Sequence, residues 1–200
     1  MRKSGFINNN KLLAVVFLLL IACDGIFVPD PIDPRIPKYT EEGNNVAGAY
    51  INDNIWESMV KIGFPYTYNE PFIVVSQEND SLSLSFSGHT NEQSAVIEFH
   101  LAGLNISSFK DLTTLNGQKI RLDGINNAGY YIENYTSSSQ DSKGVGQIYF
   151  RHVSFDRSTS KIILSGTFGF SVNSPNSKTT KVASGRFDYR ISESTNFQTE

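Results

Sequence analysis

The stretch SLSLSFS, Ser81–Ser87, alternates serine with a large apolar residue at every step. Successive side chains of a β-strand point to opposite faces, so Leu82, Leu84 and Phe86 share one face and the serines share the other. This pattern predicts a half-buried antiparallel strand. The same period recurs along the chain. In AVIEFHLA, Ala95, Ile97, Phe99 and Leu101 fall together, with Glu98 and His100 opposite. KIILSGTFGFSV aligns Ile162, Leu164, Phe168, Phe170 and Val172. GRFDYRI aligns Phe187, Tyr189 and Ile191 and turns Arg186, Asp188 and Arg190 away.

Turn-forming residues separate these runs. Asn52-Asp53-Asn54, Gln77 to Asp80, Asp156 to Ser160 and Asn173 to Ser177 are short polar links of the kind that close hairpins. A sustained helical stripe is missing; SSFKDLTTL, Ser107 to Leu115, is the one candidate for a short helical turn, and Asn116-Gly117 reads as a tight turn after it. Some nine or ten strands in a meander predict an all-β domain, a β-sandwich by preference and an open or closed β-barrel as the alternative. The domain is expected over residues 46–192, with 193–200 as a flexible C-terminal tail.

Composition agrees. Of 200 residues, 18% are charged, while Phe (14) and Tyr (9) are plentiful. Three of the 17 basic residues precede Cys23 and all 20 acidic ones follow it, so the remainder carries a formal charge of −6. A mildly acidic chain without a basic stripe argues against nucleic acid as a partner.

The N-terminus reads as a targeting signal. Arg2, Lys3 and Lys11 precede LLAVVFLLLIA, Leu12 to Ala22, an apolar run too short to span a bilayer, which takes about 20 residues. Leu20-Ile21-Ala22-Cys23 resembles the lipobox of bacterial lipoproteins. That resemblance implies that residues 1–22 are removed, and that the only cysteine, Cys23, becomes the first residue and carries lipid. Acyl chains bury methylenes at about 0.8 kcal/mol each, so two or three chains hold firmly where one does not. Residues 23–45 then contain Pro29, Pro31, Pro34 and Pro37, which predict an extended, semi-rigid tether; a loop packed on the domain is the other reading.

The lipobox, the tether, the opening VAGAYINDNIWES and the closing pair Gly166-Thr167-Phe168-Gly169-Phe170 and Gly185-Arg186-Phe187-Asp188 together resemble a family of small lipoproteins of unknown function from Bacteroidetes-type bacteria. The resemblance implies an all-β domain in the cell envelope and no reaction; the lipid anchor is expected in the outer membrane, with the inner membrane as the alternative. The aromatic residues of the two signatures also have a plain reading as cross-strand stacks, with Gly166, Gly169 and Gly185 at close contacts under large rings.

Signals for chemistry are sparse. The three histidines, His89, His100 and His152, are scattered and form neither HxH nor HExxH, so no metal ligand is assigned. There is no GxSxG, GxGxxG or GxxxxGK[ST], and neither a catalytic residue nor a cofactor is assigned. Asp80-Ser81-Leu82 resembles a short periplasmic O-glycosylation motif, which makes Ser81 a candidate acceptor; a turn acid before a strand is the bland account. Trp56, Tyr130, Tyr131 and Tyr135 are candidate binding aromatics, suited to stack on sugars or grip a protein, or else to close the ends of the core. The expected function is a lipid-anchored envelope module that binds a glycan, a peptide or another envelope protein, with a small-ligand barrel and an envelope hydrolase as alternatives.

Overall fold

The computed structural model describes residues 33–58, 71–91, 93–133, 142–173 and 179–200. Cys23 and Tyr135 lie outside them. Among the described residues eleven strands form one sheet: β1 (Val46–Ile51), β2 (Asn54–Ser58), β3 (Phe72–Ser76), β4 (Ser81–Thr90), β5 (Gln93–Ala102), β6 (Lys119–Leu122), β7 (Ala128–Glu133), β8 (Val145–Asp156), β9 (Lys161–Asn173), β10 (Thr179–Ser192) and β11 (Phe197–Thr199). A 3₁₀ helix, Phe109–Leu115, stands where SSFKDLTTL predicted it, and a single helical turn, α1 (Glu193–Asn196), precedes β11.

The fold is therefore all-β. The strands do not divide into the two stacked sheets of a sandwich. They follow the order β11-β3-β4-β2-β1-β10-β9-β8-β6, with β5 on the other edge of β4 and β7 beyond it. The physical reason lies in β4. Its first half pairs with β3 and its second half with β2 along one edge, so one long strand joins what would otherwise be two layers. The sheet is strongly curled into a half-barrel. Its flanks touch where Gly129 of β7 and Gly144, just before β8, exchange backbone hydrogen bonds. All pairings are antiparallel except β11 on β3.

Leu82, Leu84 and Phe86 face the concave side and are buried, while the serines between them are half-buried. Phe86 centres an aromatic cluster: its ring lies 5.2 Å from Phe187, 5.6 Å from Tyr189 and 6.2 Å from both Phe99 and Phe168. Such offset and edge-on pairs add about 0.5–1.5 kcal/mol beyond the area they bury. A Cβ on Gly185 would overlap the Phe168 ring, and one on Gly166 would sit 2.6 Å from Phe187 Cζ, so these glycines make room for the stack.

Both ends of the domain differ from expectation. The stretch Asp33–Asn45, read as tether, lies on the domain: Ile36 is 1% exposed and rests with Pro37 on Gly48 of β1. The last eight residues are ordered structure rather than a flexible tail. Buried Asn196 donates to the Pro71 carbonyl and accepts from the Ser192 N–H. Phe197 packs edge-on to Phe109 at 5.7 Å, and Glu200 N–H donates to the Val75 carbonyl. Free backbone groups on the edge of β3 and an apolar Phe197 explain why this tail docks.

Candidate functional site

Period-two alternation places Ser165 of β9 and Asp188 of β10 on the convex side, opposite each other. There both would ordinarily be wet. The strap Asp33–Asn45 covers them instead, leaving Ser165 0% and Asp188 2% exposed. Burying a carboxylate demands partners, and Asp188 has them. Its Oδ1 accepts from Gly43 N–H (2.8 Å) and Ser165 Oγ (2.6 Å). Its Oδ2 accepts from Thr40 Oγ1 (2.5 Å), Asn44 N–H (3.1 Å) and Glu42 N–H (3.3 Å). Three successive N–H groups around one anion make a backbone nest, and Gly43 at φ +74° supplies the left-handed turn that a nest requires. Burial pushes the Asp188 carboxyl up, but the bonds from Ser165, Thr40, Gly43 and Asn44 outweigh it and hold the group below the usual carboxylate range. Arg190 adds two ties, its N–H to Asn45 Oδ1 and its Nη2 to the Glu42 carbonyl, both 2.9 Å.

Beside this latch the strap meets β8. The Tyr39 hydroxyl donates to Glu41 Oε1 at 2.7 Å, and burial, then that bond, push its phenol upward. The Arg151 guanidinium lies 4.8 Å from the Tyr39 ring and 5.9 Å from the Tyr149 ring, while Lys119 Nζ of β6 lies 4.9 Å from the Tyr149 ring. Glu41, His152 and Ser154 form a carboxylate–imidazole–hydroxyl series: His152 Nε2 is 2.8 Å from Ser154 Oγ, and its Nδ1 is 3.9 Å from Glu41 Oε2. The second distance exceeds a hydrogen bond, so Glu41 does not fix the imidazole tautomer as a triad acid would. The crevice against the strap, lined by Pro37, Tyr39, Thr40, Arg186 and Asp188 among others, leaves no room for even one water molecule. Small-molecule pockets begin at about 300 Å³. The arrangement is a clasp built from polar groups.

The sequence candidates fall elsewhere. Trp56 is fully buried, seated between Ala49, its cross-strand partner, and Gly88, where a Cβ would overlap the indole; its Nε1–H donates to the Ala95 carbonyl at 3.1 Å. Tyr131 faces the core and Tyr130 the convex side, yet each is 7% exposed. Tyr130 belongs to a small buried cluster with Val96, Ala128 and Ile132, and its ring meets that of His100 at 4.6 Å with a tilt of 48°. These three rings have little free face to offer a sugar, whereas Tyr135 lies outside the described residues. Ser81 is half-buried between Ser76 and Ala102, and the preceding Asp80, at φ +43°, accepts Asn105 N–H at 2.7 Å, which is the behaviour of a turn acid. His100 Nε2 bonds Glu98 Oε1 at 2.5 Å and His89 pairs with Glu57 at 3.1 Å, both on open sheet faces.

Sequence reasoning missed the latch. The available signals were an acid flanked by two arginines in GRFDYR and the turn residues Gly43-Asn44-Asn45. Neither says that the two meet. Compared with protein-family models, curated proteins and solved structures, the chain has no significant match.

Proposed function

We propose that the chain is a lipid-anchored protein of the cell envelope, held in the outer membrane through Cys23, whose half-barrel is a non-catalytic binding module for a glycan, a peptide or another envelope protein. The lipobox-like Leu20-Ile21-Ala22-Cys23 and the paired GTFGF and GRFD strands support placing it with the small Bacteroidetes-type lipoproteins that they resemble. We read the curled sheet as an opened barrel around a filled core, not as a sandwich.

The observation that carries this reading is the Asp188 latch. The strap is the stretch through which an anchor at Cys23 would pull, and it is tied to the middle of the sheet instead of hanging free. The chain from Cys23 to Asp33 reaches at most about 35 Å, so the half-barrel would sit close to the bilayer. Cys23→Ala is expected to release a folded protein from the membrane fraction. Full retention of that variant overturns the proposal.

A carried small ligand is a poorer fit, because Phe86, Phe99, Phe168 and Phe187 occupy the interior in mutual contact. A hydrolase draws on one observation, the 2.8 Å contact of His152 with Ser154. A serine-directed fluorophosphonate tests it: labelling that vanishes in Ser154→Ala favours that reading over ours.

A further inference from the structure

Charge is spread unevenly over the curl. β1 to β5 and β7 contain no lysine or arginine, whereas β6, β8, β9 and β10 carry Lys119, Arg121, Arg151, Lys181 and others. Large apolar side chains that stand exposed among the described residues are Phe72 (44%), Ile125 (75%) and Val145 (51%). Two of these, Ile125 and Val145, lie together on the basic part. A Cβ on Gly124 would be 3.1 Å from Val145 Cγ2, and Lys143 Nζ donates to the Ile125 carbonyl at 3.3 Å.

The exposure of Ile125 is built into the loop that bears it. Asp123 Oδ1 accepts from the N–H groups of Ile125 (2.8 Å), Asn126 (2.9 Å) and Asn127 (3.0 Å), and Gly124 N–H donates to the Asn127 carbonyl. Asn127 in turn fixes the loop to β5 by accepting Ala102 N–H. A loop this well tied, holding an isoleucine out into water, presents that side chain. Arg121 faces outward on β6 opposite Gln147, one step along the same face from Val145.

The position of this patch relates to the strap. Val145 pairs with Ser171, Ser171 with Lys181, and Lys181 accepts from the Asn52 N–H after β1 while its own N–H donates to Asn52 Oδ1. These residues form one rim of the sheet, about 14 Å from Val145 to Asn52 at the usual strand spacing. The strap enters from that rim: Asn45 is level with Arg190 and Ile36 with Gly48, while Arg35 lies within electrostatic reach of Tyr50 and Glu57. Among the described residues, the acids near this rim include Asp53, exposed at the β1–β2 turn, Glu57, and Asp123, whose Oδ1 is occupied by its own loop.

We propose that this rim faces an anionic bilayer: Ile125 and Val145 enter the headgroup layer, and Lys143, Arg121 and Lys181 pair with lipid phosphates. Apolar side chains flanked by cations are what an interfacial contact needs, and each such cation strengthens it. The proposal rests on the Cys23 anchor for bringing the bilayer within reach, and the test separates the two.

The full chain, as the producing cell processes it, is reconstituted into phosphatidylcholine vesicles with and without phosphatidylglycerol. Because Cys23 is the only cysteine, a thiol-reactive dye on the unaltered chain reports the anchor first: labelling of Cys23 means that the anchor reading has failed, whatever the rim does. With Cys23 blocked, the dye is placed through Ile125→Cys or, in the exposed turn at the opposite end of β8 from Val145, through Arg157→Cys. Lipid-borne quenchers are expected to quench the dye at 125 in phosphatidylglycerol vesicles and to spare the dye at 157. Arg121→Gln and Lys143→Gln are each expected to lower the docked-to-free ratio about fivefold. Equal quenching at both positions, or none at 125, overturns the proposal. So does shielding of the dye at 125 by soluble dextran sulfate but not by vesicles, which reassigns the rim to acidic glycan.

Discussion

β4 and β10 are long strands with the same alternation and opposite fates on their convex sides. β4 turns Ser81, Ser83, Ser85 and Ser87 outward, and all four are half-buried. β10 turns Arg186 and Asp188 outward, and both are buried, at 4% and 2% exposure, under the strap. The more polar of the two faces is thus the covered one. Periodicity says which way a side chain points; whether that direction is wet depends on chain that arrives from elsewhere. The difference teaches that a charge on an outward position is compatible with burial when a second segment brings enough donors.

The sharpest way to break this comparison is to remove the acceptor. Asp188→Ala leaves the Thr40 and Ser165 hydroxyls and the N–H groups of Gly43 and Asn44 without their partner. A loss of about 3–4 kcal/mol in urea unfolding is expected, and Asp188→Asn, which keeps one acceptor oxygen, should recover part of it. A loss within the scatter of surface mutants would mean that the strap does not hold. Next in size is Gly48→Ala. Its Cβ would lie 2.6 Å from Pro37 Cδ, and overpacking of this kind costs about 1–3 kcal/mol. Proteolysis at Lys38 of the folded protein should speed up accordingly.

Acid gives a graded version of the same test. The Asp188 carboxyl is held below its ordinary value when folded, so its contribution is complete above the unfolded carboxylate range, near pH 4. It is lost as pH falls through the lower folded value. The protection factors of the Gly43 and Asn44 amides, which remove the intrinsic pH dependence of hydrogen exchange, should fall on acidification and stay flat with pH in Asp188→Asn. The smallest effect is expected on β4: Ser83→Ala should stay within about 0.5 kcal/mol of the parent. A larger loss there would put a hidden partner on the serine face and erase the contrast.

Much of the fold was legible because its information is local. Leu82, Leu84 and Phe86 declare their strand within seven residues, and Asn52 at φ +53° makes the turn that its side chain allows. The 3₁₀ helix announces itself through Asp111, which accepts from both Ser107 and Ser108. The rest is non-local. Pro34 and Pro37 have the same φ in a free tether as in a strap, so only the distant Asp188 distinguishes them. Tyr130 and Tyr131 are adjacent and both buried, which alternation forbids unless the convex face is covered too, as it is around Val96 and Ile132. Trp56 reads equally well as a rim aromatic or a core one until Gly88 and Ala49 are seen beneath it. The single sheet was hidden for a related reason: nothing in SLSLSFSGHT says that two partners share one edge of it.

The pairing of β1 with β10 and of β11 with β3 also sets an order of events in folding. The nest of Glu42, Gly43 and Asn44 leaves the ribosome first, and Asp188 follows 144 residues after Asn44. β3 obtains its outer neighbour only when residues 197–199 emerge. Contacts this distant in sequence make for slow, late assembly. A chain threaded through a membrane from its N-terminus would therefore form its neighbouring hairpins early, hold its strap unlatched until Asp188 had passed, and close afterwards as one unit.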